Sequence, residues 1–166
     1  YPGFEQLFGV PLVPADRTAQ LDLPPLLGTG EPQQVVHRLL AERLRQLADV
    51  RDAFDVAVIH LPAAWEAGFR TSDYDAHNKL KAMGAELAVP TQVITDRTFE
   101  FKYLASIAWR LAIALYVKAG GTPWKLAPVA GVPLDSAYIG LAYALRGGAE
   151  DTRFVTCCSQ VFDADG

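Results

Sequence analysis

Cysteine is almost absent from this chain: its 166 residues include two, Cys157 and Cys158, and they are adjacent. Neighbours on a strand point to opposite faces, which makes them a poor disulfide and an implausible metal pair. Both are expected to be ordinary buried strand residues. Long apolar runs are lacking too. The most apolar segment, Tyr103 to Val117, is short for a bilayer and contains Arg110, so a core helix is expected. No charged stretch followed by an apolar one opens the chain, and a cytoplasmic protein that meets no membrane is the expectation. Positive charge is scarce: the net charge of −4 lacks the broad basic footprint of nucleic-acid binders. Any such contact would have to be a local cluster. Neither G-x-G-x-x-G nor G-x-x-x-x-G-K-[ST] occurs, and Gly120-Gly121 closes a helix instead of opening one. The histidines His37, His60 and His77 show no nucleophile–base pattern. Internal repeats and low-complexity tracts are absent.

What remains is enough for a core. At 51% hydrophobic and 20% charged, the chain suits one domain, or one domain plus the beginning of another. Residues 1–33, with Leu23-Pro-Pro25 and Gly28-Thr-Gly30, read as an irregular lead-in. Gln34 to Arg51 carries apolar residues at helical period. Asp55 to Leu61 reads as a buried strand ended by Pro62, and Ala63 to Asp73 as a loop. Asp73 is the expected N-cap of a helix from Tyr74 to Met83, closed by Gly84. A second strand is expected over Leu87 to Thr95 and a long helix over Phe99 to Lys118. This alternation implies a parallel α/β sheet with helices packed on it, and a ligand beyond the carboxyl ends of the strands. Ser136 to Ala144 and Arg153 to Phe162 read as two strands joined at Arg146-Gly-Gly148, with a further turn over Asp163 to Gly166. Trp109 and Trp124 are expected in the core.

Four polar residues follow one another along these elements. His77 and Lys81 are four apart, one above the other on a helix face. Imidazole offers a surface on which a base stacks, and an ammonium offers a point charge to a phosphate. Gln92, in the second strand, has an amide that can donate to a phosphate oxygen. Lys118 ends the long helix. In that order they suit a pocket for a terminal phosphate.

At His77, Lys81, Gln92 and Lys118 the chain resembles the MID domain of prokaryotic Argonautes, from about Asp55 onward. Tyr1-Pro-Gly-Phe-Glu5 is similar as well. The resemblance implies a Rossmann-like parallel sheet flanked by helices, the MID domain, over residues 34–130. Residues 131–166 would be the first β-hairpin of an RNase H-like PIWI domain. The implied function is to anchor the 5′-phosphorylated end of a guide RNA or DNA in defence against invading nucleic acid. A polar position one turn before the final lysine is here Ala114, and Arg110, one turn further back, is expected to compensate. Mg²⁺ bridging guide phosphates is implied, with ligands partly outside this chain. Argonaute nucleases place a metal-binding Asp two residues after a strand Gly; after Gly140 that position holds Ala142. A methyl group cannot ligate Mg²⁺, so no catalytic residue is expected and the protein should not slice. Implied partners are the guide, its complementary target, the rest of the PIWI domain and an effector protein. The alternative is a small-ligand or nucleotide-binding α/β regulatory domain without nucleic-acid function.

Overall fold

Helix α1 (Phe4–Phe8) breaks the expected irregularity of the first residues. The Phe8 ring stacks on Tyr116 with centroids 4.1 Å apart and planes 9° from parallel. In this computed structural model, residues 2–23, 31–68, 75–100, 102–125, 127, 130–133, 136–146 and 153–163 are described. They divide into two units, Tyr1–Gly121 and Thr122–Gly166.

In the first unit, α2 (Pro32–Ala48) opens on Pro32, whose missing N–H would have no helical partner at that position. Val36, Leu40, Leu44 and Leu47 recur every three or four residues and are buried along one face. The helix ends before the expected Arg51, which instead starts a 3-10 turn, Arg51–Ala53. Strand β1 (Ala57–Leu61) pairs in parallel with β2 (Thr91–Thr95), from Ala57 opposite Thr91 to Leu61 opposite Thr95. Both are shorter than the apolar runs that contain them, because pairing begins only after Val56 and Pro90.

Parallel strands need a crossover, and α3 (Ala76–Glu86) supplies it. Asp75 caps this helix, its Oδ1 accepting from the His77 and Asn78 amides at 3.0 and 3.3 Å. Asp73 and Tyr74 lie outside the described residues, as does the end of the expected loop. The part of that loop that is described, Ala63–Gly68, forms a 3-10 helix. Nor does Gly84 close α3, which runs on to Glu86. A Cβ at Gly84 would sit 2.8 Å from the Val89 carbonyl oxygen and 3.0 Å from Thr91 Cγ2. This glycine lets the lead-in to β2 press against the helix, and its carbonyl accepts from the Val89 amide at 2.7 Å.

After β2 the chain makes a 3-10 turn, Asp96–Phe99, locked by reciprocal capping between Thr95 and Thr98. Helix α4 (Leu104–Lys118) therefore starts five residues later than expected. The core lies between α2, α3 and the sheet: Val36, Leu40, Leu44, Ala57, Leu61, Trp65, Leu80 and Val89 form one buried cluster. Each large aliphatic side chain buried there contributes about 1.5–3 kcal/mol. Trp65 is the core tryptophan. Trp109 and Trp124 are exposed, at 40% and 65%, contrary to expectation. Helix α4 is likewise only partly a core helix, with Ala112 and Leu115 buried and Leu104 and Val117 exposed. Among the described residues the parallel sheet has two strands, too few to cover every apolar side chain of α4.

In the second unit, β3 (Tyr138–Arg146) and β4 (Arg153–Phe162) pair antiparallel, with an irregularity between Ala144 and Leu145. Ala142 is exposed and lies opposite Cys158. Phe162 pairs with Tyr138, so Asp163 follows the open end of the hairpin, while Ala142 pairs midway along it. The side chains of Cys157 and Cys158 lie outside the described residues, as do the glycines of the expected turn and residues 164–166.

Candidate functional site

Lys118 is the last residue of α4, so its side chain leaves the helix beside the start of β2. Its ammonium donates to the Thr91 carbonyl and, at 2.7 Å, to Gln92 Oε1. Thr91 is buried, and the Gln92 amide nitrogen donates in turn to the Val93 carbonyl at 2.9 Å. Lys81, on the adjoining face of α3, lines a groove of about 320 Å³ with Gly84, Ala85, Pro90, Thr91 and Lys118. No acidic side chain is among its lining residues. Burial pushes the Lys118 ammonium below its ordinary pKa, and the charge of Lys81 pushes it further the same way. Two cations therefore share a small groove without a carboxylate between them.

One wall of the groove is a turn held in an uncommon conformation. Ala88 has φ 53°, in the left-handed region, and the Arg51 guanidinium donates to its carbonyl. The turn fixes how closely Val89 and Pro90 pass the end of α3.

Of the five residues expected at a phosphate site, the structure gathers three: Lys81, Gln92 and Lys118. His77 is exposed on the first turn of α3, one turn before Lys81 on the same face. Arg110 is exposed on α4, eight residues before Lys118, and no contact among the described residues ties it to the cluster. The cluster also lies elsewhere than expected, at the amino end of β2 instead of the carboxyl ends. The reason is the crossover geometry: α3 and α4 each start near the carboxyl ends and run back, so their last turns reach the amino edge.

The carboxyl ends hold a different pair, which the sequence did not reveal. His60 on β1 and Asp96 after β2 meet with Nε2 and Oδ1 2.6 Å apart. The other Asp96 oxygen accepts from the Ala63 amide at 2.7 Å. That backbone bond, then the His60 hydrogen bond and charge, hold the Asp96 carboxyl below its usual range. Asp96 thus ties the Ala63–Gly68 helix to the end of β2. Nothing in the sequence links His60 to Asp96, 36 residues away.

A larger groove of about 1230 Å³ runs between residues 10–21, α2, β1 and the end of α4. Its lining is mainly apolar and includes none of the five candidates. Among the described residues no three His, Cys, Asp or Glu side chains gather as metal ligands. A groove lined by two ammonium groups and no carboxylate fits an anion and not Mg²⁺. No helix among the described residues is long and apolar enough to cross a membrane. No protein-family model matches the sequence, and no curated protein matches it either.

Proposed function

We propose that the first unit binds the 5′-phosphate of a guide RNA or DNA strand, as a MID domain does, within a catalytically inactive prokaryotic Argonaute. The observation that carries the reading is the convergence of Lys81 and Lys118 on one groove without an acid, with Gln92 beside them. An ordinary solvated lysine has no such neighbour, and paired ammonium groups become favourable when an anion sits between them. His77, one turn along α3, would stack on the first base. Arg110 would meet the backbone of the strand. The resemblance further implies that Mg²⁺ bridges guide phosphates using ligands outside the groove, and that target, effector protein and remaining PIWI domain are partners. The cytoplasm is the proposed compartment.

With Ala142 where the family's nucleases carry an Asp, the proposed protein binds targets without cutting them. The deciding experiment compares one oligonucleotide with a 5′-phosphate and with a 5′-hydroxyl, titrated into the chain at fixed salt. Tighter binding of the phosphorylated form is expected, and equal affinity would sink the proposal. The 1230 Å³ groove favours a second reading, a regulatory α/β domain for a small ligand or nucleotide. Under that reading a mononucleotide binds and the end chemistry of a longer strand makes no difference.

A further inference from the structure

We infer that the outer face of the first half of α4 is a second nucleic-acid surface, which takes single strands whatever the chemistry of their ends. Residues 102–118 carry the cations Lys102, Arg110 and Lys118 and no Asp or Glu, in a chain whose net charge is −4. Lys118 is engaged by Thr91 and Gln92, whereas Lys102 and Arg110 are exposed. Two rings stand with them, Tyr103 at 70% exposure and Trp109 at 40%. Tyr103 caps the helix, its carbonyl accepting from the Ser106 amide at 3.1 Å. Tyr103, Ser106 and Arg110 then follow at spacings of three and four, with Trp109 beside Arg110, so they share one stripe about 10 Å long. Ala112 and Leu115, the buried residues of α4, fall on the opposite side of the helix.

The composition of the stripe selects its occupant. Lys102 Nζ stands 5.6 Å from the centroid of the Tyr103 ring, so a charge and a flat apolar surface are presented together. Rings next to cations match a single strand, whose bases stack on the rings while its phosphates meet the charges. A helix that lies in lipid needs an unbroken apolar face, and here Ser106 and Arg110 interrupt it. An acidic peptide would satisfy the two cations and leave the rings unused. The acids nearest in sequence, Asp96 and Glu100, lie at the two ends of the preceding 3-10 turn, and Asp96 is taken by His60 and the Ala63 amide. The stripe shares no residue with the groove of Lys81 and Lys118, so the inference stands apart from the phosphate reading.

The test titrates an oligothymidylate with a 5′-hydroxyl into the full chain over a range of salt. Lys102→Gln and Arg110→Gln should each lower the slope of log affinity against log salt by about 0.7, the value of one phosphate contact to a single strand. Arg38→Gln, at an exposed position of α2, should leave the slope unchanged. Trp109→Ala should weaken binding about five-fold or more. Trp109→Phe should keep most of the affinity and remove the quenching of tryptophan fluorescence that the unmodified chain shows on binding. Unchanged slopes in both cation variants, or full affinity in Trp109→Ala, would overturn the inference. Polyglutamate competing as well as the oligonucleotide would overturn it too, by marking a surface that reads charge alone. Tyr103→Ala carries the ring test if Trp109→Ala does not melt cooperatively. Loss of binding in the α4 variants, with 5′-phosphate and 5′-hydroxyl strands bound alike, leaves this surface in place and removes the phosphate reading. A preference for the 5′-phosphate with every α4 variant binding like the parent does the reverse.

Discussion

The two ends of the small parallel sheet treat charge in opposite ways. At the carboxyl end His60 and Asp96 face each other at 2.6 Å, and the spare carboxylate oxygen takes the Ala63 amide. The carboxylate there has its partners within the chain. At the amino end Lys118 leans on neutral acceptors while Lys81 shares its groove, and no acid lines it. The first arrangement is complete and fastens a loop; the second keeps its positive charge available. The proposed ligand end is chosen by that difference and not by the position customary for parallel sheets.

The largest expected effect tests the amino end directly. Lys81→Ala and Lys118→Ala should each cost about 1.5–3 kcal/mol in binding a 5′-phosphorylated strand, a ten- to hundred-fold loss. Titration calorimetry with the 5′-hydroxyl strand should record a much smaller loss. Similar losses with both strands would erase the distinction between the two ends.

Somewhat smaller is the contribution of His77. Its replacement by Ala should weaken strand binding by about 1–3 kcal/mol, whereas Tyr should preserve it, because either ring can stack on a base. Tyr proving as damaging as Ala would assign His77 to a role other than stacking.

Proton linkage separates the ends with smaller signals. Because the pKa of Lys118 is depressed below 10.5, the folded chain releases its proton before the unfolded chain does. Folding stability from this group therefore rises as pH climbs through the depressed value toward 10.5, and the penalty is fully present below it. A bound phosphate should reverse the depression. Binding in that alkaline window should take up protons and weaken as pH rises, which calorimetry in buffers of different ionisation enthalpy can measure.

For Asp96 stability also rises with pH, but in an acid window and as a favourable contribution instead of a relieved penalty. Its carboxyl lies below the ordinary 3.8, so its stabilising contribution is present above that value and is lost as pH falls through the lowered one. Asp96→Asn should flatten this part of an acid melting series while leaving phosphate preference unchanged. A change in phosphate preference would join the two ends functionally and end the comparison.

Much of this architecture could be read from the chain, and the failures have physical causes. The alternation of elements and the parallel pairing follow from apolar period and from Pro62 and Gly120-Gly121, and both strands lie inside the apolar runs that predict them. Helix ends depart from the sequence pattern where tertiary contacts intervene: Gly84 looks like a stop and is a packing position, while Thr95 and Thr98 divert the chain before α4. Lys81, Gln92 and Lys118 were legible because each sits on an element whose kind and direction the sequence indicates. Their mutual hydrogen bonds were not, since Gln92 offers a donor and an acceptor equally and only the position of Lys118 chooses between them. The exposure of Trp109 is hidden from the sequence because composition reports what can be buried, not how much of α4 the sheet beside it covers.

Ala88 carries a consequence for how this groove could change over time. An L-residue at φ 53° tolerates little side-chain branching, and the replacements that accept such a backbone most readily are Gly, Asn and Asp. The turn thus filters substitutions at the rim by shape, independently of any ligand. Bulky residues that would fill the groove are barred by the backbone, but Asp passes the filter and would set a carboxylate against the two lysines. Ala88→Asp should keep the thermal melt close to that of the parent and abolish the preference for a 5′-phosphate. A single tolerated substitution would then convert the proposed anion receptor into a self-neutralised surface.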